Sequence, residues 1–137
     1  MEKIMTDMLK AFKRAEITKD QLQNYFDVHL FDVSSDKPVY IRNSDLILIL
    51  DLYRDKNIDL HMLIDWINVT WFTELYECHD DDHYSLGSVS TFLEQLDEDE
   101  YEGALTPENL ERIITALSNN WEIWYEDGAI HYSPFLP

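Results

Sequence analysis

A chain of 137 residues has room for one domain with a core that needs no covalent staples. Its 28 acidic residues against ten Lys and Arg leave a formal charge of −18, which disfavours nucleic acid and anionic membranes as direct ligands, since both require clustered cations. A hydrophobic share of 45% with three Gly and four Pro excludes a disordered chain, and a single cysteine, Cys78, excludes an intrachain disulfide and suits a reducing compartment.

The first 16 residues lack the unbroken apolar segment of a signal peptide, and no run approaches the ~18 apolar residues of a membrane span. A cytoplasmic protein without membrane contact is expected. Residues 2–15 place Ile4, Met5, Met8, Leu9 and Phe12 on one helical face, with Lys3, Lys10, Lys13 and Arg14 mainly opposite. Thr18 followed by Gln21 matches a capping box and predicts a helix start, with Leu22, Tyr25, Phe26 and His29 or Leu30 at helical spacing. Residues 32–42, with SSDKP at 34–38, read as a loop. A second helix is predicted from Asn43 or Ser44 to about Asp55, its core face Leu46, Ile49, Leu50 and Tyr53.

From Asn57 the pattern begins again. Ile58, Leu63, Trp66, Ile67 and Phe72 follow Ile17, Leu22, Tyr25, Phe26 and Phe31 at a spacing of 41. Phe92, Leu93, Leu96 and Asp99 follow Leu48, Ile49, Leu52 and Asp55 at 44. The match reads either as two helix–loop–helix repeats or as amphipathic helices aligning by chance. Thr106 as N-cap and Pro107 at the first helical position predict a last helix, with Leu110, Ile113, Ile114 and Leu117 facing inward. Beyond it, Trp121–Tyr125 and Ala129–Tyr132 are β-rich runs joined by Glu126-Asp127-Gly128, and Asp-Gly between such runs predicts a hairpin. The expected architecture is mainly α: a single domain over 1–137, with a bundle of about six helices over 1–120 and a β-hairpin over 121–133.

Charge is distributed unevenly. Residues 1–56 carry nine cations against ten acids, whereas residues 57–137 carry Arg112 against eighteen. Within 74–102 stand eleven Asp and Glu and no Lys or Arg, concentrated in Asp80–Asp82 and Asp97–Glu100. Carboxylates held this densely on a folded surface point to a basic partner. The expected contact residues are Glu77, Asp80, Asp81, Asp82, Asp97, Glu98, Asp99, Glu100 and Glu102, with Trp71 and Tyr101 as aromatic anchors. Trp66 reads as core, whereas Trp121, Trp124, Tyr125 and Tyr132 cannot all be buried in a two-stranded hairpin. His29 and His61, within helix patterns, read as partly buried packing residues.

Cys78, His79 and His83 are the sole cluster resembling a metal site, but no second Cys or His pair completes a tetrahedral set, and the Asp run lacks calcium-loop spacing. No nucleophile elbow, phosphate loop or zinc-protease helix is present, so neither a cofactor nor an enzymatic activity is expected.

Helix starts of the form Ile/Leu-Thr/Asp-x-x-x-Leu at 17–26, 58–67 and 105–114, together with the acidic segments at 80–82 and 97–102, resemble small acidic bacterial immunity proteins. These are the cytoplasmic antidotes of contact-dependent growth inhibition and polymorphic toxin systems. The resemblance implies tight one-to-one binding to a cognate toxin domain, often a basic nuclease. The leading expectation is therefore an inhibitor that occludes a basic toxin's active site with its acidic surface. The alternatives are a DNA mimic that inhibits a nucleic-acid-binding enzyme, and a metal-binding protein using Cys78, His79 and His83.

Overall fold

A computed structural model describes residues 2–26, 29–33 and 38–133. The fold is mainly α, with seven helices among these residues and a C-terminal antiparallel hairpin. In chain order the elements are α1 (Glu2–Lys13), α2 (Lys19–Tyr25), β1 (Val39–Ile41), α3 (Asn43–Arg54), α4 (Leu60–Phe72), β2 (Tyr76–Cys78), α5 (His83–Glu94), α6 (Glu98–Ala104), α7 (Pro107–Asn119), β3 (Glu122–Glu126) and β4 (Ala129–Ser133). Leu30–Asp32 and Asp80–Asp82 form short 3₁₀ turns.

Local chemistry explains most helix starts. Gln21 N–H donates to the Thr18 hydroxyl (3.1 Å) while Thr18 N–H donates to the Gln21 side chain (2.8 Å), the reciprocal capping box expected of this pair. Asp59 accepts from Met62 N–H to start α4, and Thr106 accepts from Asn109 N–H to start α7 with Pro107 behind it. Three helices end on a non-glycine residue in the left-handed region: Ala15 (φ 60°), Lys56 (φ 63°) and Asn120 (φ 55°). At Lys56 that conformation lets Asn57 N–H reach Leu52 C=O at 2.8 Å and close the end of α3. Glycine adopts it without the Cβ penalty, so Lys56→Gly is expected to raise stability by about 0.5–1 kcal/mol in chemical denaturation.

Two elements depart from the sequence reading. The segment read as a loop over 32–42 contains β1, which pairs in parallel with β2 in the register Val39–Tyr76, Tyr40–Glu77 and Ile41–Cys78. The loop reading at 34–37 lies outside the described residues. The acidic segment 97–102, where the 44-residue spacing aligned Asp99 with Asp55 at the end of the second helix, instead forms a helix of its own. Asp97 N–H donates to the Glu100 carboxylate at 3.0 Å, and this cap starts a separate helix, α6.

The repeated pattern corresponds to two helix–strand–helix units, α2–β1–α3 and α4–β2–α5. The caps Thr18 and Asp59 stand 41 residues apart, as expected. The second helices begin at Asn43 and His83, so the buried pairs are Leu46 with Leu86 and Ile49 with Val89, a spacing of 40 in place of 44.

One continuous core runs through all of this. Leu9 and Phe12 of α1, Leu22, Leu46, Ile49 and Leu50, Leu63 and Ile67, Leu86, Val89 and Leu93, and Leu110, Ile113 and Leu117 meet there. Trp66 is buried, as its helix face predicts, and its indole N–H donates to Lys13 C=O at 2.9 Å. The hairpin closes over α5 and α7 through Ile123 and Ile130, with Asp127 (φ 54°) and Gly128 (φ 79°) forming the two-residue turn. Ile123 N–H donates to Ser88 on α5, and Ile130 N–H donates to Asn109 on α7, so both hairpin edges are tied to helices. No helix among the described residues is long and apolar enough to cross a membrane.

Candidate protein-interaction site

The acidic residues are organised by α5. The 3₁₀ turn Asp80–Asp82 runs straight into its first residue, His83, and Asp97 follows its last residue, Glu94, by three positions. Twelve helical residues span about 18 Å, so the two acidic knots stand at opposite ends of one rod. Both lie at helix N-termini, of α5 and α6, where the helix dipole favours negative charge and offsets part of their mutual repulsion. Glu77, Asp80, Asp81, Asp97, Glu98, Asp99, Glu100 and Glu102 are all exposed.

Asp82 is not, and its assignment as a contact residue is corrected. It is 9% exposed, and one carboxylate oxygen accepts from Asn43 N–H at 2.8 Å and from the Arg42 Nε–H at 3.2 Å. It thus caps the start of α3 from 39 residues downstream. Burial alone would raise its pKa, but Arg42 and the Asn43 amide outweigh that and hold the carboxyl below the usual carboxylate range. Around it the Ser85 hydroxyl donates to Asn43 Oδ1 (2.7 Å), Ser85 N–H donates to Asn120 Oδ1 (3.0 Å), and the Asn120 amide donates to Asp81 C=O (2.8 Å). The first knot is therefore fastened to α3, α5 and α7 at once.

Tyr101 is likewise corrected from anchor to core. It is 2% exposed, and its hydroxyl donates to Leu93 C=O at 2.5 Å, joining α6 to α5. Burial, with help from Glu94, pushes its phenol up to about 12. A neutral phenol therefore contributes stability below pH ~10 that is lost as pH rises toward 12. Tyr101→Phe is expected to cost about 1–1.5 kcal/mol at pH 7 and to lessen the loss of stability between pH 7 and pH 11, read by denaturation at both, with buried Tyr76 keeping its own share.

Trp71, at the end of α4, is half-buried and lines a groove of about 800 Å³ between α5 and β3. His83, Tyr84 and Phe92 come from α5, Trp124 and Tyr125 from β3, and carboxylates from Glu100 and Glu122. No Lys or Arg is among the described lining residues. Trp124 stacks on His131 (5.5 Å between centroids, 16° between planes) and is still 46% exposed, while Tyr125 lies against Phe92 at 5.2 Å. Of the four hairpin aromatics, Trp124 and Tyr125 are exposed and Trp121 and Tyr132 are half-buried, so none of the four is fully buried. The groove itself was not read from the sequence, because its two walls lie some 30 residues apart; the surplus of aromatics on β3 was its one visible sign.

Among the described residues no three His, Cys, Asp or Glu converge as a metal site would need. His79 turns back to accept from Asp81 N–H (3.2 Å), and Cys78 donates to His79 C=O. Burial, then Asp82, Asp80 and Glu77, push the Cys78 thiol up, disfavouring the nucleophilic thiolate. His29 and His61 are exposed where partial burial was expected; His61 reaches Asp65 at 3.3 Å. Compared with known proteins, the chain matches no family model, no curated protein and no solved structure.

Proposed function

We propose that this chain is an immunity-type inhibitor, which binds a basic toxin domain, such as a nuclease, and covers the groove where its substrate would lie. The observation that carries this reading is a charge of −17 confined to residues 57–137, with Asp80 and Asp81 exposed at one end of a single well-packed helix and Asp97–Glu100 exposed beyond the other. A nuclease groove has to be positive to hold phosphates, so an acidic face meets a feature the enzyme cannot discard without losing its substrate. The knots are also costly to keep, because like charges at this density oppose folding, and a binding role accounts for their retention.

The test is neutralisation. The chain is co-expressed with the products of its neighbouring reading frames, and cell growth and nuclease activity are measured. Protection against one toxic, basic product by a 1:1 complex supports the reading. Failure to protect against any of them removes it.

A further inference from the structure

We propose that the groove between α5 and β3 is an arginine-binding site, into which the basic partner inserts a guanidinium group; this rests on the inhibitor reading above. Two kinds of side chain meet there, and each narrows the occupant. Trp71, Tyr84, Phe92, Trp124 and Tyr125 supply aromatic faces, which attract flat or cationic groups. Glu100 from α6 and Glu122 from β3 supply carboxylates at the same opening, and Glu122 makes no ion pair with any described residue. An apolar segment would bury these carboxylates without recompense. A nucleic-acid base would find stacking surface, but its phosphates would face carboxylates and a molecule of charge −18.

A cation satisfies both groups of residues, and arginine does so better than lysine. Its planar guanidinium stacks on Trp or Tyr and still presents N–H pairs in the plane to a carboxylate. The ammonium of lysine is more strongly hydrated and offers no plane to stack. The groove also runs beside α5 between the two acidic knots, from His83 at one end of the helix to Leu96 and Glu100 beyond the other. A basic surface drawn in by the knots would therefore meet the aromatic walls on arrival.

The probes are acetylated hexa-arginine and hexa-lysine peptides, titrated calorimetrically into the whole protein at about 0.15 M salt. Wild type is expected to bind hexa-arginine about five-fold more tightly than hexa-lysine. Trp124→Ala and the pair Glu100→Gln with Glu122→Gln are each expected to abolish that preference. Trp124 is exposed and glutamine preserves the Glu100 cap, so circular dichroism should show both variants folded. Equal affinity of wild type for the two peptides, a preference that survives Trp124→Ala, or binding of neither peptide overturns the proposal. If both peptides bind equally and reversal of Asp80 and Glu98 to lysine weakens both, the groove assignment fails while the acidic-face reading stands. Failure of the inhibitor reading shows separately, in the neutralisation assay.

Discussion

Asp82→Ala is expected to destabilise the protein by about 2–3 kcal/mol, lowering the melting temperature by roughly 8–12 °C. The residue belongs to a run of three aspartates, and its neighbours provide the control: Asp80→Ala, at an exposed position, should change stability by less than about 0.5 kcal/mol. The difference arises because Asp82 is the acceptor for Asn43 N–H and for the Arg42 guanidinium. Removing it leaves the Asn43 N–H in the first turn of α3 without its acceptor and the Arg42 guanidinium without its main partner. The dependence on pH follows from the lowered carboxyl. A group whose folded pKa lies below its unfolded value near 3.9 contributes stability above that value and loses it as pH falls through the folded one. The gap between wild type and Asp82→Ala should thus be full at pH 7 and shrink below about pH 4. A gap that is constant down to pH 2 would show that the Arg42–Asp82 contact does not act through charge.

Charge reversal at the exposed carboxylates is expected to act on association and to leave the fold intact. Glu77→Lys and Asp80→Lys at one end of α5, with Asp99→Lys and Glu102→Lys at the other, move the net charge from −18 to −10, two units for each of four changes. None of these side chains makes a hydrogen bond that caps a helix, and lysine at 102 sits in the last turn of α6, where the dipole favours a cation. Attraction between opposite fields raises association rates from about 10⁵–10⁶ to 10⁸–10⁹ M⁻¹s⁻¹ at low salt. The reversed protein should bind its toxin about 10²-fold more slowly at low ionic strength, and the two rates should converge as salt rises. Stopped-flow association at two salt concentrations decides it. Equal rates at low salt would mean that the acidic face is not what the partner meets.

These two predictions separate residues that look alike in the sequence. Asp80, Asp81 and Asp82 are chemically identical and adjacent, yet one is a structural cap and the others are surface charge. Nothing in the run itself distinguishes them, because the groups that claim Asp82 stand 39 and 40 residues away. Tyr101 poses the same problem. It is flanked by Glu100 and Glu102, the usual setting of an exposed anchor, but α6 turns it inward to Leu93. The short strands β1 and β2 were hidden for a related reason: three residues are too few to show an alternation, and their pairing joins segments 37 residues apart.

What the amino-acid order settles without help is everything governed by contacts within about four residues. The helix starts at Thr18 and Thr106, the span of α3, the hairpin turn at Asp127-Gly128 and the mainly α class follow from caps, turn chemistry and periodicity. The one-sided charge is equally a property of composition along the chain. Tertiary structure alone decides which of those charges are free, where α6 separates from α5, and that β3 leans on α5 to form an aromatic groove between two acidic knots. Each of those outcomes depends on hydrogen bonds and packing between residues far apart in the chain, and such contacts leave no periodic trace in it.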